Sequence, residues 1–275
     1  MTTIHTLASG SSGNAAVISR GGVHILLDAG ISCRRITAAL RTLGLEPEEL
    51  SAVFITHIHT DHVSGLRTLA RKYALPIYAS RRTCAALAGR IPETAPLLCP
   101  FREGETVSLG SVTAVSFPTS HDAPGSCGYR FGEVGVLTDT GYVTEEAAEA
   151  LTGVPLLVLE ANHDVETLRS GPYPYALKQR VLGPEGHLSN EAAAAFALAS
   201  ARAGTREIVL AHLSRENNTP AMALNAVGRA LETLDAPVAL SAAPRDELSR
   251  RYQAAETANG TAARSAGAHS GAWRL

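Results

Sequence analysis

The sequence predicts an α/β fold in which two central β-sheets pack face to face and helices cover their outer surfaces, an αββα four-layer sandwich. Three observations predict it. Short apolar runs alternate with segments of helical spacing, the chain opens with three short strands joined by tight turns, and the second half loosely repeats the order of the first. A chain of 275 residues with 45% hydrophobic content can bury one large core, so we expect a single domain over residues 1–245.

The first half of the chain is predicted to open as an antiparallel meander. The turn SGSSGN at 9–14 and the pair Gly21 and Gly22 separate its first three strands. A later run at 50–56 is apolar almost throughout, which is typical of a strand buried on both faces. The predicted elements are, in order, strands over 4–7, 15–18 and 23–28, a helix over 36–43, a strand over 50–56, a helix over 61–73 and a strand over 76–79.

The second half is predicted to build the other sheet and its covering helices. Thr219 and Pro220 are typical of a helix N-terminus, and Ser189 or Asn190 can cap the alanine-rich helix before it. The predicted elements are strands over 107–117 with a turn at Gly110, a strand over 134–138, a helix over 145–151, a strand over 156–160, a loop over 170–186, a helix to residue 203, a strand over 208–211, a helix over 219–234 and a strand over 238–240. Residues 254–275, mostly Ala, Gly, Thr and Ser, are predicted to form a disordered tail.

Composition and charge narrow the class of protein. The formal net charge is -2 and the pI is about 6.6, so no global basic field indicates nucleic acid, and a charged substrate must be attracted locally. The four cysteines form no CxxC pair and the N-terminus lacks a charged segment followed by an apolar core, so we expect a cytoplasmic protein. No run approaches the ~20 apolar residues of a membrane-spanning helix, so we expect no membrane association. The sequence does not indicate an oligomeric state.

The most informative motif is the HxHxDH cassette directly after the 50–56 strand. In an extended segment, side chains two residues apart point the same way with ~6.6 Å between their Cα atoms, so His57 and His59 can converge on one metal ion. Asp61 and His62 lie where the chain turns into the next helix and can bind a second, neighbouring ion. Surface histidines or a helix cap are the alternative, but this spacing after a strand is typical of a metal site.

Three further candidates for metal ligands follow predicted strands: His121, Asp139 and His212. The carboxyl ends of strands in an α/β sheet meet at one edge, so these residues can reach the cassette. A single histidine at such a place is more often a hydrogen-bonded structural residue. The Asp139 carboxylate can bridge two cations, and two divalent ions lower the pKa of bound water and generate a hydroxide that attacks a phosphoryl or acyl centre. Asp61 and Asp139 are therefore predicted to be catalytic residues as well as ligands.

Six segments of the chain resemble motifs of one known family. They are LASGSSGN at 7–14, LLDAG at 26–30, THIHTDHVSG at 56–65, LTDTGYV at 137–143, EANHDVETLRSGPYPYALKQRVLGPEGHLSNE at 160–191 and AHLSRENN at 211–218. Together they resemble the metallo-β-lactamase superfamily and, within it, the branch of YycJ/WalJ-like 5′-to-3′ exonucleases. The cassette alone indicates only the superfamily, whereas the long segment at 160–191 points to the branch. The resemblance extends nearly to residue 240.

The resemblance implies a metal-dependent phosphodiesterase with the metallo-β-lactamase fold that digests DNA, as a single strand or a duplex end, from the 5′ terminus. Endonuclease activity and a role in DNA repair are implied with it. It also implies two divalent metal ions, with Mn²⁺ favoured and Zn²⁺ as the alternative. It assigns His57, His59 and His121 to one ion, Asp61, His62 and His212 to the other, and Asp139 to both. Asp28 resembles an aspartate that supports the metal loop by hydrogen bonds, although it can equally cap the turn before Gly30.

The remaining polar residues of the 160–191 segment are candidates for catalysis and substrate binding. His163 or His187 can donate a proton to the leaving oxygen, although His187 can instead support the helix cap at Ser189. Basic and aromatic residues interleave from 169 to 180 in a pattern suited to phosphates and bases, although a solvated loop with packed tyrosines would have the same pattern. The predicted substrate-binding residues are Asn14, Asn162, Arg169, Tyr173, Lys178 and Arg180, with Tyr175 in the same pattern.

Two other functions are compatible with part of this pattern. A metal-dependent hydrolase of small thioesters or small phosphodiesters would share the ligands but would need no basic and aromatic segment at 169–180. A non-enzymatic binding module should have lost ligands, and none is missing from the sequence. We therefore expect a hydrolase, and cleavage of DNA is the favoured activity.

Overall fold

Two seven-stranded sheets form the centre of the molecule, in a computed structural model that describes residues 1–102 and 104–254. One apolar layer lies between the sheets, and one lies on the outer side of each sheet beneath helices. The predicted αββα sandwich is therefore confirmed. Of the predicted tail at 254–275, only residue 254 lies within the described residues.

Helices separate the parallel strands of each sheet, whereas most of the antiparallel strands follow one another directly. The strands are β1 (Thr3–Ala8), β2 (Ala15–Arg20), β3 (Val23–Leu27), β4 (Leu50–Phe54), β5 (Ile77–Ser80), β6 (Leu98–Phe101), β7 (Thr106–Leu109), β8 (Val112–Pro118), β9 (Cys127–Phe131), β10 (Val134–Leu137), β11 (Leu156–Glu160), β12 (Glu207–Ala211), β13 (Ala239–Ala242) and β14 (Tyr252–Gln253). The helices are α1 (Cys33–Thr42), α2 (Thr60–Val63), α3 (Leu66–Tyr73), α4 (Arg81–Arg90), α5 (Glu145–Leu151), α6 (Val165–Ser170), α7 (Tyr175–Leu182), α8 (Asn190–Arg202) and α9 (Pro220–Leu231).

Each half of the chain builds one sheet by the same route, first antiparallel and then parallel. In the first sheet β1, β2 and β3 pair antiparallel, and β3 to β6 continue as parallel neighbours. In the second sheet β7 to β10 pair antiparallel, and β10 to β13 are parallel. The loose repeat predicted from the sequence is thus a repeat of sheet topology. β14 pairs with β1 at the edge of the first sheet, so a strand lies beyond residue 245, where the domain is predicted to end.

The central strands bury both faces because each sheet is covered on both sides. Along β12, Ile208 and Leu210 pack against the outer helices, whereas Val209 and Ala211 pack between the sheets. All four are buried. A strand with a core on each face must be apolar at successive positions, which explains why these runs are continuous and not alternating.

Aromatic side chains join the two sheets directly beneath the cassette. The ring of Phe54, at the end of β4, lies edge-on to Tyr129 at 5.4 Å and to Phe131 at 5.5 Å, both from β9. The buried Tyr129 hydroxyl donates a hydrogen bond of 2.8 Å to the carbonyl of Ile55. The second sheet thereby fixes the backbone that leads into the cassette, since edge-to-face ring pairs have a preferred geometry.

Helix starts follow the predicted caps. The Ser189 hydroxyl accepts a hydrogen bond from the amide of Ala192, and the Thr219 hydroxyl accepts one from the amide of Met222, with Pro220 at the first helical position. In the described part of the chain, no helix combines the length and the apolar character needed to cross a lipid bilayer.

The structure departs from the predicted elements at several places. The helix predicted over 61–73 is two helices, α2 and α3. The amide of Gly65 donates to the carbonyl of Ala29 at 2.8 Å, and the carbonyl of Asp61 accepts from Asn14, so the hydrogen bond that would continue the helix is not made. The loop predicted over 170–186 contains α7, a helix with none of its side chains buried, in a stretch whose glycines and prolines are typical of a loop. The sequence patterns do not predict the elements α4, α6, β6, β9 and β14.

Gly30 lies where the turn after β3 meets the turn that carries Asp61. A methyl group on its α carbon would overlap the carbonyl oxygen of Asp61, which also accepts a hydrogen bond of 2.7 Å from the amide of Asn14. The amide of Gly30 donates in turn to the carbonyl of Asn14 at 2.8 Å. Three chain segments therefore meet at one glycine beneath the cassette.

The Gly30→Ala substitution should therefore lower the free energy of unfolding by about 3 kcal/mol, because backbone would have to move to admit the methyl group. Urea denaturation followed by circular dichroism measures this. Gly89→Ala is the matched control, since a side chain there meets no atom within 4 Å, and it should stabilise α4 by ~0.5–1 kcal/mol. Equal stability of the two variants would contradict the expectation.

Candidate metal centre

The cassette after β4 brings three histidine nitrogens together. Nδ1 of His59 lies 3.2 Å from Nε2 of His57 and 3.1 Å from Nε2 of His121, which follows β8. Donors around a tetrahedral ion with bonds of ~2.0–2.1 Å are separated by ~3.3 Å. The three nitrogens are therefore spaced as ligands of one divalent cation.

A second group of donors lies beside the first. Oδ2 of Asp61 is 3.5 Å from Nε2 of His62 and 3.4 Å from Nε2 of His212, and Nε2 of His62 is 3.3 Å from Oδ2 of Asp139. The cassette supplies two of these donors, and the ends of β10 and β12 supply the others. These four atoms also have the spacing of ligands around one cation.

The surroundings of the Asp139 carboxylate show whether a cation fits between the two donor groups. The carboxylate is 2% exposed, and its Oδ2 atom has no hydrogen-bond partner. Its Oδ1 atom lies 3.8 Å from Nε2 of His121, so the carboxylate stands between the two groups. A buried carboxylate oxygen without a donor is costly, and a divalent cation would satisfy it. The donor set therefore fits bound metal.

The Nε2 atom of His59 lies 3.4 Å from Oδ1 of Asp122, and the other four inward-facing imidazoles are held from behind through their Nδ1 atoms. The contacts are Nδ1 of His57 with Oγ1 of Thr56 at 3.0 Å, Nδ1 of His62 with Oδ2 of Asp28 at 2.8 Å, Nδ1 of His121 with the carbonyl of Gly186 at 3.0 Å and Nδ1 of His212 with Oε1 of Glu160 at 2.8 Å. Such contacts fix the tautomer and the ring orientation that a metal ligand needs.

Asp28 contacts the cassette and not the turn before Gly30. Its Oδ1 atom accepts a hydrogen bond of 2.9 Å from the amide of Thr56, and its Oδ2 atom accepts one of 2.9 Å from the Thr56 hydroxyl. With His62 on the same oxygen, the carboxylate holds both the start of the cassette and one of its histidines. This geometry favours support of the metal loop over a simple turn cap.

Three residues of the centre adopt the left-handed backbone conformation. The φ angles are 58° at Asp28, 58° at Asp139 and 55° at His212, and each residue lies within two positions of the end of a strand. Non-glycine residues rarely adopt this conformation and are concentrated at functional sites. The turn redirects each side chain from the strand towards the cluster.

Glu160 is the functional residue that the sequence did not reveal as one. It is fully buried at the end of β11, and its Oε1 atom lies 2.8 Å from Nδ1 of both His187 and His212. Burial alone would raise its pKa, but the two imidazoles outweigh burial and lower it to about 2. An ionisable residue after four consecutive apolar positions was the available signal.

Glu160, His187, His212 and Asp139 also place four donor atoms within 4.8 Å of one another. Both histidine nitrogens in this group are at hydrogen-bond distance from one Glu160 oxygen. A nitrogen that donates its hydrogen to a carboxylate is not available to a cation. This group therefore supports the ligands and is not a third metal site.

The carboxylates also control the protonation of the ligands. Burial alone would lower the pKa of His212, but the Asp139 and Asp61 carboxylates outweigh it and raise it to about 10. Burial would also lower the pKa of His62, but the Asp139 and Asp28 carboxylates hold it well above its usual value. Because a coordinating nitrogen must lose its proton, cation binding to these histidines releases protons, and the affinity for metal increases with pH.

A half-open cleft of about 330 Å³ leads from the surface to both donor groups. Among the predicted catalytic residues, Asp61, Asp139 and His187 line it, and the His187 side chain is 21% exposed. His163 is not among the lining residues. It is buried, and burial lowers its pKa to about 4.

Two of the predicted substrate-binding residues lie behind the ligands. Asn14 is buried, and its Nδ2 atom donates to the carbonyl of Gly10 at 3.1 Å and lies 3.3 Å from Oδ2 of Asp61. Asn162 is buried and donates from Nδ2 to the carbonyl of His212 at 2.9 Å. These contacts position ligands and leave neither amide at the surface of the cleft.

The other predicted substrate residues belong to α6, α7 and the turn between them. Arg180 lines the cleft, and its Nε atom donates to Oδ2 of Asp122 at 2.6 Å. Arg169 and Lys178 line a separate groove on the other side of α7. Tyr173 lies in the turn between the helices and is half-buried. Of these predicted substrate-binding residues, Arg180 therefore lies at the metal cleft, whereas Arg169 and Lys178 lie at the separate groove.

Two groups of nitrogen and carboxylate donors at the strand ends of an αββα sandwich define a class of protein, the metal-dependent hydrolases of the metallo-β-lactamase fold. Comparison with known proteins agrees with this class. The sequence model described as the beta-lactamase superfamily domain matches residues 24–213. The chain belongs to this superfamily and, within it, to the family of the exodeoxyribonucleases WalJ and YycJ.

Two curated relatives and one solved structure illustrate the likeness. Exodeoxyribonuclease WalJ of Streptococcus pneumoniae is 41% identical over 226 residues, which cover 79% of this chain and 83% of that protein. Exodeoxyribonuclease YycJ of Bacillus anthracis is 38% identical over 233 residues, which cover 82% and 88%. The metallo-β-lactamase fold protein YhfI of Bacillus subtilis superposes with a TM-score of 0.68 at 15% identity, covering 92% of this chain and 100% of that one, which shows the fold alone.

The Glu160→Gln substitution should weaken metal binding by about 10- to 100-fold, because the neutral amide no longer holds His212 in the tautomer of a ligand. Competition with a chromophoric chelator measures the affinity. Glu207→Gln is the matched control, since Glu207 lies on the neighbouring strand and its carboxylate pairs with Arg250 at 2.7 Å, away from the centre. Unchanged affinity in Glu160→Gln would show that His212 does not depend on this carboxylate.

Proposed function

We propose that this protein is a metal-dependent phosphodiesterase that degrades DNA from the 5′ end, with endonuclease activity as a further capability and DNA repair as its setting. The observation that carries the proposal is the pair of donor groups joined by Asp139, found in a chain whose relatives over four-fifths of its length are named exodeoxyribonucleases. The polarity rests on the family resemblance of the motifs.

Two divalent ions are proposed as cofactors, with Mn²⁺ favoured and Zn²⁺ as the alternative. His57, His59 and His121 would hold one ion, Asp61, His62 and His212 the other, and Asp139 both. Imidazole and carboxylate donors are compatible with either metal. When bound, such ions activate water, polarise the phosphoryl oxygens and offset the charge that develops on the phosphate.

His187 is proposed to donate the proton that the leaving oxygen needs. Its Nδ1 atom is held by Glu160, which fixes the orientation of the ring and leaves Nε2 for the cleft. The buried position of His163 and the neutral form favoured by its low pKa support the choice of His187 between the two candidates.

Arg180 is proposed to bind a phosphate of the substrate at the mouth of the cleft. Its side chain is 59% exposed, and its partner Asp122 is 27% exposed. An ion pair as accessible as this one is weak, because water screens both charges. A phosphate can therefore replace Asp122, and the guanidinium can make two parallel hydrogen bonds to it.

The central experiment measures cleavage of 5′-labelled and 3′-labelled DNA strands by metal-stripped protein to which Mn²⁺, Zn²⁺ or Mg²⁺ is returned. Asp139→Asn should lower kcat/KM by about a thousandfold or more while the fold is kept, because Asn tolerates the left-handed conformation that Asp139 adopts. Asp235→Asn, an exposed aspartate after α9, is the control and should retain activity.

The label pattern separates the possible activities. Mononucleotides released first from the 5′ label support the proposal, whereas release first from the 3′ label would reverse the polarity. Lack of cleavage with every metal would reject DNA as the substrate. Small thioesters and small phosphodiesters would then be the compounds to test, because a cleft of about 330 Å³ can enclose them.

Replacement of His187 by Ala should lower turnover on DNA by about 100-fold or more, with metal content unchanged, because the leaving alkoxide would lose its proton donor. On a p-nitrophenyl ester of a nucleotide the loss should be small, since that leaving group needs no proton. His24→Ala, on β3 with its ring against Ser19, serves as the control. Equal losses on both substrates would assign His187 a structural role.

A further inference from the structure

The helix α7 separates the metal cleft from a second groove. Leu177, Arg180 and Val181 line the cleft, at the i, i+3, i+4 spacing of one helix face. The residues that line the groove are Tyr175, Lys178, Gln179 and Leu182 of α7, together with Arg169 from the end of α6. Because no side chain of α7 is buried, both of these faces are accessible to one ligand.

The groove has a volume of about 420 Å³ and an unusual lining. Tyr175 is 77% exposed, and the other exposed large apolar side chains in the described part of the chain, Met1 and Tyr142, are 56% and 52% exposed. Lys178 and Arg169 bring two positive charges, and no residue that lines the groove is acidic. An exposed ring beside two cations is the pattern that binds single-stranded nucleic acid by stacking and phosphate contact.

The contacts of the two cations leave donors for a ligand. Lys178 donates one hydrogen bond from Nζ to the carbonyl of Arg169 at 2.6 Å and keeps two N–H groups. Arg169 pairs with Glu166 at 3.2 Å, but these side chains are 63% and 83% exposed, so the pair is weak. Phosphate oxygens can therefore engage both residues without breaking a buried contact.

We propose that this groove binds a nucleotide of a single DNA strand whose 5′ end lies in the metal cleft, an inference that rests on the proposed function. A helix with its side chains is ~10–12 Å wide, so a strand with ~3.4 Å or more per nucleotide crosses α7 in about three nucleotides. Paired bases cannot stack on Tyr175, because a duplex presents its bases to each other. The groove therefore selects unpaired strands of at least about four nucleotides.

The test compares kcat/KM on oligonucleotides of two to eight nucleotides for the wild-type protein and variants. The wild-type value should rise with length and level off at about four or five nucleotides. Tyr175→Ala should lower it on the octanucleotide by about tenfold more than on the dinucleotide, chiefly through KM, and Lys178→Ala should act in the same direction. Tyr175→Phe, which keeps the ring, should restore the length dependence. Lys72→Ala, at the end of α3, is the matched control and should behave as wild type.

The outcomes distinguish this inference from the function on which it rests. If the wild-type protein cleaves no strand of any length, the proposed function fails and the inference falls with it. If it cleaves DNA but the rate is independent of length, or Tyr175→Ala loses the same factor on every length, only the groove assignment is overturned. Cleavage of a blunt duplex as fast as the matching single strand would also overturn it.

Discussion

Three buried carboxylates, those of Asp28, Asp139 and Glu160, impose the main constraint on this structure. Each is at most 3% exposed, and a buried carboxylate without a partner costs several kcal/mol. Histidine side chains contact these carboxylates, and the donor groups that include Asp139 have the spacing to bind divalent cations. Asp28 and Glu160 contact histidines from their own sheets, whereas Asp139 from the second sheet lies 3.3 Å from His62 of the first, so the strands of both sheets must end at one shared edge.

Each half of the chain places an aspartate with the same backbone conformation after the corresponding strand of its sheet, but the two aspartates have different contacts. Asp28 follows β3 and Asp139 follows β10, the strands at which each sheet changes from antiparallel to parallel, and both have φ of 58°. The first carboxylate holds His62 from behind, whereas the second stands between the donor groups. The same backbone conformation thus places a supporting carboxylate in one half and a candidate metal ligand in the other.

Much of the fold and most of the donor set could be predicted from the sequence because they depend on local patterns. Continuous apolar runs reveal strands buried on both faces, and the cassette concentrates four donors in six residues. The role of Glu160 could not be predicted, because it depends on the pairing of β11 with β12 and on the approach of His187 from a distant segment. The helix α7 escaped prediction because it lies in a stretch whose glycines and prolines are typical of a loop, and the burial of Asn14 and Asn162 depends on loops that meet only in the folded chain.

The candidate metal donors come from distant positions in the chain, and this affects how stable the protein is in a cell. They come from positions 57 to 212 and from both sheets, so a bound cation ties the two halves together as a cross-link would. A ligand at 100 times its Kd adds about 2.7 kcal/mol to the free energy of unfolding, which is a large fraction of the stability of an ordinary domain. Metal starvation would then shorten the survival of this protein against proteases, and its abundance would follow the supply of the cation.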